Sequence, residues 1–121
     1  MNLKPINADF SVCKIDTTED FDFSCEFWFL SKTDEELSLV CETNAVPEKT
    51  TEREDGWKAF RIEGVLDFSL IGILSEISAV LAENEIGIFA VSTFNTDYIL
   101  VKECNYEKAL KVLQDVGNVI I

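Results

Sequence analysis

Two short stretches of the chain, Gly64–Gly72 and Ser92–Asp97, carry the residues best suited to binding a small charged molecule. In the first stretch, Gly64 can let the chain turn out of a strand, and Val65–Ser69 then leads into the N-terminus of a helix. The free N–H groups of a helix N-terminus, together with the helix dipole, favour a carboxylate. We expect Gly72 to leave the first turn of this helix without a side chain, so that a ligand or a neighbouring backbone can approach.

The second stretch contributes a carboxylate and several neutral hydrogen-bonding groups. Asp97 is suited to pairing with an ammonium group, while Ser92, Thr93 and Asn95 can add neutral hydrogen bonds. A helix end that binds anions, opposite a carboxylate, has the polarity that a zwitterionic α-amino acid requires. The candidate ligand-binding residues are Val65, Leu66, Asp67, Phe68, Ser69, Gly72, Thr93, Phe94, Asn95 and Asp97.

Each candidate also has a purely structural interpretation. Asp67 can serve only as a helix cap, and Gly72 can serve only to let the helix pack on a sheet. Asp97 is also typical of a turn residue that bonds to its own backbone. Phe68 and Phe94 are more typical of a core or a dimer interface than of stacking on a ligand. The combination therefore indicates a site more strongly than any single residue does.

The chain has no histidine, which removes the commonest general base, the usual partner of a Ser or Cys nucleophile and the commonest metal ligand. It also has no nucleophile elbow, no phosphate-binding loop and no C-x-x-C pair. Catalysis by carboxylates or lysine stays open, although no cluster of them indicates it. We therefore expect no enzyme activity, no metal site and no cofactor. Cys13, Cys41 and Cys104 are predicted to be buried free thiols, and Cys25 is assigned no role.

Acidic residues dominate the charge of the chain, since 23 acids against 10 bases give a formal net charge of −13. Such a field repels phosphate backbones and anionic membrane surfaces, so neither nucleic acid nor a membrane is an expected partner. We interpret the acidic stretches 16–22, 34–36 and 48–55 as solvated loops, with a steering field for cationic ligands or partners as the alternative. Without a signal peptide or an apolar run long enough to span a membrane, a cytosolic protein is expected.

The clearest predicted elements are an amphipathic helix from residue 69 or 70 to residue 84 and a second helix over 106–116. Their apolar residues recur at spacings of three and four, as one buried helix face requires. The predicted capping residues are Asp67 and Ser69 before the first helix, and Asn105 and Gly117 at the two ends of the second.

Four strand-like runs, rich in β-branched and aromatic residues, flank these helices. They are 57–63, 87–93, 98–103 and 118–121. The run 94–97 joins the middle two strands, and its Asn and Asp residues favour a tight hairpin. The order strand, helix, strand, strand, helix, strand predicts an α+β module of the ferredoxin-like βαββαβ type.

The first half of the chain is less regular. Its strand-like runs are 10–15, 26–31 and 37–42, and the stretch 46–56 has the composition of a linker. Because both halves place a pair of strands late, we interpret the first as an abbreviated copy of the same module. The predicted domains are a degenerate N-terminal half with an acidic linker, 1–55, and a complete module, 56–121.

Val65-Leu66-Asp67, followed by Gly72-Ile73-Leu74 and then by Ile86-Gly87-Ile88-Phe89, resembles the pattern of the ACT domain. In that family an acidic loop with a glycine opens the first helix, and a glycine-containing run starts the second strand. Here Asp-Phe-Ser-Leu-Ile-Gly stands where the commonest form has Asp-x-Pro-Gly, so the loop is two residues longer and has no proline. This departure is similar to a subgroup of small tandem-ACT bacterial proteins, and to the ACT repeats of the CASTOR arginine sensors.

The resemblance implies a regulatory protein that senses a small molecule, with an amino acid as the expected ligand. ACT modules commonly associate side by side and hold the ligand between them, so a homodimer or another homo-oligomer is expected. Because no catalytic or DNA-binding segment is attached, we expect the output to pass through assembly or a regulatory partner protein. The alternative is a module for protein–protein interaction or oligomerisation that binds no ligand.

Overall fold

The computed structural model describes residues 1–63 and 72–121. The described residues form seven strands, two α-helices and two short 3₁₀ turns, the last at Thr43–Ala45 and Glu103–Asn105. In chain order the strands and α-helices are β1 (Asn2–Lys14), β2 (Trp28–Lys32), β3 (Leu37–Glu42), β4 (Glu52–Ile62), α1 (Ile73–Glu83), β5 (Phe89–Ser92), β6 (Asp97–Lys102), α2 (Tyr106–Asp115) and β7 (Val119–Ile120). The chain therefore has the α+β class that its sequence predicts.

The chain forms two compact units, one made of residues 1–7 and 58–121 and the other of residues 8–57. The first unit takes in the N-terminus because the start of β1 pairs in parallel with β7. The first unit is thus discontinuous along the chain, whereas the sequence predicted two consecutive segments, 1–55 and 56–121.

The first unit contains the predicted order of strand, helix, strand, strand, helix, strand, running from β4 to β7. Hydrogen-bonded neighbours follow the order β1-β4-β6-β5, and β7 pairs with β1, so β1 adds a fifth strand to this sheet. Both helices pack on one face of the sheet. The buried residues of this core are Leu3, Phe60, Ile62, Ile77, Leu81, Ile86, Ile99, Val101, Ala109 and Leu113. The hydrophobic effect on this face is the main force that holds the unit together.

Helix α1 begins later than predicted. Its first helical residue is Ile73 and its N-cap residue is Gly72. The backbone of Gly72 has a left-handed conformation (φ 86°), which residues other than glycine rarely adopt. A Cβ atom on Gly72 would meet no described atom within 4 Å, so the backbone conformation, and not close packing, calls for glycine here. The prediction that Gly72 lies inside the first turn is therefore wrong, and the predicted N-cap residues Asp67 and Ser69 lie outside the described residues.

Helix α2 is fixed to the sheet by Tyr106. The Tyr106 hydroxyl donates a hydrogen bond of 2.9 Å to the carbonyl of Ala59, and burial raises the pKa of Tyr106 to about 12. The helix ends at Asp115, and Gly117 follows with φ 104°, as predicted. Asn105 is the N-cap residue, but its side chain makes no capping hydrogen bond.

Replacing Tyr106 with phenylalanine should lower the free energy of unfolding by about 1 kcal/mol at neutral pH, because one hydrogen bond is lost. The folded-state pKa of Tyr106, about 12, lies above its ordinary value of 10.0. The tyrosine therefore stabilises the fold fully below pH 10, and this contribution is lost as the pH rises toward 12. Urea denaturation of both proteins at pH 7 and at pH 11 measures the difference. We expect it to shrink or reverse at pH 11, and an unchanged difference would contradict the raised pKa.

The second unit is a small antiparallel sheet in which β3 lies between β2 and β1. Trp28 lies opposite Cys41, and Cys13 lies opposite Leu39, so these four side chains share one face. Coil packs on this face through Phe21, and residues 8–57, all of which the structure describes, contain no α-helix. That this half is an abbreviated ACT module stays a prediction.

Two strands start earlier than predicted. β1 starts at Asn2 and not at residue 10, and β4 starts at Glu52, inside the stretch 46–56 that was predicted to be a linker. Just before β4, the Thr51 N–H donates to the Lys14 carbonyl at 2.8 Å. Strand pairing uses the backbone, so the exposed charged side chains of Glu52–Asp55 do not prevent it.

The cysteines are all free thiols, and two of the three burial predictions are confirmed. Cys13 and Cys41 are buried, and burial raises the pKa of Cys41 to about 12, so its thiol is not reactive at neutral pH. Cys104 is exposed. The prediction for Cys104 is wrong because this residue lies in the 3₁₀ turn after β6 and not in the strand.

Candidate ligand-binding site

The β5–β6 hairpin positions the second of the two predicted stretches. Ser92 and Asp97 are directly opposite each other, and the Ser92 hydroxyl donates to Oδ1 of Asp97 at 2.5 Å. Between them, the N–H and the hydroxyl of Thr93 both donate to the Thr96 carbonyl, at 2.8 and 2.9 Å. The predicted hairpin is confirmed. Its Asp97 carboxylate is half-buried and is oriented by a hydroxyl of the neighbouring strand.

Thr96 anchors this hairpin to the end of β4. Its hydroxyl donates to the Ile62 carbonyl at 2.6 Å, and the side chain is only 7% exposed. Glu63, the next residue after Ile62, is the last described residue before 64–71. The hairpin loop therefore lies beside the point where the chain leaves β4 toward the first predicted stretch.

The predicted site residues of the first stretch other than Gly72 lie outside the described residues. They are Val65, Leu66, Asp67, Phe68 and Ser69. Their part in ligand binding stays a prediction.

The remaining candidates are solvent-accessible. Phe94 is 77% exposed at the tip of the hairpin, so the interpretation that it belongs to the core is wrong. Thr93, Asn95 and Gly72 are exposed as well. Since burial does not account for these side chains, a ligand or another protein can reach them.

Replacing Thr96 with valine should destabilise the protein by about 1–3 kcal/mol, because the buried Ile62 carbonyl loses its donor while the side-chain shape is retained. Thr93→Val is the matched control, since Thr93 is exposed and water can replace its hydrogen bonds. Thermal unfolding of the two variants measures the difference. Equal losses in the two variants would show that the Thr96 hydroxyl does not anchor the hairpin.

A polar group that the sequence did not single out lies on the opposite face of the same strands. Arg61 donates from Nε to Glu63 at 3.1 Å and from Nη1 to the Tyr98 hydroxyl at 3.2 Å. Its guanidinium also lies 5.9 Å from the centre of the Tyr98 ring. The hydrogen bond to the Tyr98 hydroxyl, and then that to Glu63, raise the pKa of Arg61, so the group stays charged. Successive side chains of a strand point to opposite faces, so Arg61 and Tyr98 do not share a face with Asp97.

The N-terminus of α1 is suited to binding an anion. Because the N-cap residue is glycine, no side chain of that residue caps the first N–H groups, and the dipole of an eleven-residue helix favours negative charge there. The described residues also form a cleft of about 280 Å³ along α1. Its lining residues are Met1, Ile73, Glu76, Ile77, Val80, Val116, Gly117 and Asn118. None of them is one of the predicted ligand-binding residues.

The described residues contain no group of three or more Cys, Asp or Glu side chains placed to hold a metal ion. No helix among them is long and apolar enough to cross a membrane. The hairpin offers a carboxylate and several hydroxyls, which are groups that can bind a polar ligand.

Comparison with protein families gives a match to the ACT domain over residues 52–115. These residues contain β4, α1, the β5–β6 hairpin and α2. A comparison with curated proteins gives no match.

Several solved structures are similar over almost the whole chain. The protein Atu0741 of Agrobacterium tumefaciens is 30% identical, with a TM-score of 0.86, and the alignment covers 99% of this chain and 91% of that one. A Vibrio cholerae protein of unknown function, described as a possible transport protein, is 18% identical with a TM-score of 0.72, and the coverage is 94% and 88%. The aspartate kinase of Clostridium acetobutylicum, described as an allosteric enzyme, is 15% identical with a TM-score of 0.67, and 93% of this chain matches 33% of that enzyme. The last two likenesses concern the fold alone.

Proposed function

Because the chain belongs to the ACT domain family, we propose that it is a regulatory protein that binds an amino acid and has no catalytic activity of its own. The family match over residues 52–115 carries the proposal, since ACT domains generally bind amino acids for regulation. The structural likeness to an allosteric aspartate kinase supports a regulatory role for this fold.

The ligand site that we propose lies between the β5–β6 hairpin and the N-terminus of α1. Asp97 binds the α-ammonium group, and its orientation by Ser92 supports this role. The N-terminus of α1 and the preceding loop bind the α-carboxylate. Thr93, Phe94 and Asn95 lie beside these groups on the hairpin and contact the rest of the ligand.

Assembly is the second part of the proposal. β5 is a terminal strand of the described sheet, and a terminal strand leaves backbone groups that another strand can pair with. We propose that two copies associate as a cytosolic homodimer and that ligand binding changes this assembly or the affinity for a partner protein.

A thermal-shift screen against the common amino acids tests ligand binding. A ligand at about 100 times its dissociation constant stabilises the folded state by about 2.7 kcal/mol. For a chain of this length the melting temperature should rise by about 8–13 °C. We expect one amino acid, or a chemically related group, to give such a shift.

The alternative is an interaction module that binds no ligand, and the 77% exposure of Phe94 favours it, because an exposed aromatic ring is typical of an interface. Flat melting curves with every amino acid, together with a stable dimer in sedimentation, would replace the sensor proposal with this one.

A further inference from the structure

The second unit presents an aromatic edge, which we define as Phe21, Phe23, Trp28 and Leu30. The three rings contact one another edge to face, with centroid distances of 4.9, 6.0 and 5.0 Å. The Trp28 indole N–H donates to the Phe23 carbonyl at 3.2 Å, which fixes the indole against the coil. The edge is therefore an ordered surface.

Much of this apolar surface is exposed. Phe23 is 47% exposed, and Trp28 and Leu30 are each 37% exposed, whereas Phe21 is buried beneath them. Trp28 and Leu30 project from the same face of β2 because they are two residues apart in a strand. β2 is also a terminal strand of the described sheet, so its backbone can accept a further strand. Exposed apolar side chains along an open strand edge are the features that β-strand addition uses.

Acidic residues dominate the charge around the aromatic edge, and Lys32 at the end of β2 is the base of that strand. Residues 16–26 contain five acids and no base, and all five acids are exposed: Asp16, Glu19, Asp20, Asp22 and Glu26. Asp22 accepts a hydrogen bond of 2.9 Å from the Ser24 N–H. The Ser24 hydroxyl, and then this N–H, hold the pKa of Asp22 below its usual range, so the carboxylate is ionised at neutral pH.

An exposed apolar strand edge surrounded by acidic residues favours one kind of binding partner. A second copy of the chain would bring the same acids against each other, since both carry a net charge of −13, and like charges across a strand pair are destabilising. A free quaternary ammonium ion between the rings is also disfavoured, because rings 4.9–6.0 Å apart touch and leave no space between them. A basic side chain laid over the outside of the rings satisfies both constraints.

We propose that the aromatic edge docks an extended, basic segment of a partner protein. The segment pairs with the backbone of β2, its apolar side chains cover Trp28 and Leu30, and its Arg or Lys side chains lie beside Phe23 and the flanking carboxylates. Every residue of this surface lies within 8–57, so the proposal does not depend on amino-acid binding by the ACT domain.

The test uses the full chain and a dye-labelled, acetylated peptide in which arginine and valine take turns at every second position, with threonine between them, so that both lie on one face of the strand. Binding is measured by fluorescence anisotropy. The control peptide carries glutamate in place of arginine and should not bind. Two further peptides carry N-methyl groups on one or the other alternate set of backbone nitrogens. We expect one methylation pattern to abolish binding and the other to preserve it, because only one edge of the peptide pairs with β2.

Three variants locate the binding surface. Phe23→Ser and Asp22→Asn should each weaken binding about tenfold. Asp34→Asn changes the net charge by the same amount at an exposed turn of the same unit, and should change binding less than about twofold. Circular dichroism checks that the folded state is retained in each variant.

Several results would overturn the proposal. Absence of binding by the wild-type chain is one, and equal loss in Asp22→Asn and Asp34→Asn is another, since that would reflect general attraction to an acidic protein. Equal binding of both methylated peptides would exclude pairing with β2. A wild-type dimer that becomes monomeric in Phe23→Ser would assign the surface to a second copy.

Discussion

Replacing Asp97 with asparagine weakens amino-acid binding about 100-fold, which corresponds to a loss of about 3 kcal/mol for a charge-assisted hydrogen bond. The change removes the negative charge and retains an oxygen that can accept the Ser92 hydroxyl, so the hairpin is preserved. In the thermal-shift screen, the rise in melting temperature with ligand should almost disappear. The melting temperature without ligand should stay within a few degrees of the wild type.

The control for Asp97→Asn is Asp115→Asn, which removes an exposed carboxylate that forms a 3.6 Å surface ion pair with Lys111. It should retain the full ligand-induced shift, because surface ion pairs contribute little. If binding survives in Asp97→Asn, the carboxylate has only a structural role in the hairpin and the proposed ammonium site is wrong.

Replacing Phe60 with alanine destabilises the protein by about 3–5 kcal/mol, since a large core side chain is removed and a cavity remains. Phe60 is fully buried on β4, in the core that both helices cover. For a chain of this length the melting temperature should fall by about 10–20 °C.

Phe94→Ala is the control for Phe60→Ala. Phe94 is 77% exposed, so removing its ring should lower the free energy of unfolding by less than about 0.5 kcal/mol. Urea denaturation provides the free energies of both variants. Comparable losses in the two would contradict the assignment of the core to the helix-covered face of the sheet.

Local patterns in the sequence predicted the elements of the first unit well. The spacing of Ile73, Ile77 and Leu81 marks one helix face, and these residues do pack toward the sheet. The Asn and Asp residues of 94–97 indicated the hairpin, and Gly117 indicated the end of α2. Each of these signals is contained in a few consecutive residues, so no knowledge of the partner element is needed.

Most of the misses concern features that depend on distant parts of the chain. Glu52–Asp55 has the composition of a loop, yet it belongs to β4, because strand formation there is determined by pairing with another strand. The start of β1 is a strand because it pairs with β7 at the far end of the chain. Gly72 was placed inside the helix because a spacing pattern does not reveal a positive φ angle.

The candidate site divides in the same way. Asp97 and its neighbours were proposed as ligand contacts from residue type, because a carboxylate in a hairpin is visible in the sequence. Thr96 was missed since its role depends on the Ile62 carbonyl, 34 residues away along the chain. Arg61 and Tyr98 were missed for the same reason, as nothing local indicates that these two strands are adjacent.

Isothermal titration calorimetry with the amino acid that gives the largest thermal shift tests the central claim most directly. We predict saturable binding with one site per chain, and no heat from the analogue without the α-amino group or from the analogue with an amidated carboxyl group. Both charged ends are needed because Asp97 and the N-terminus of α1 each bind one of them. If either analogue bound as tightly as the amino acid itself, or if no amino acid gave saturable heat, the result would contradict an amino-acid site in this ACT domain.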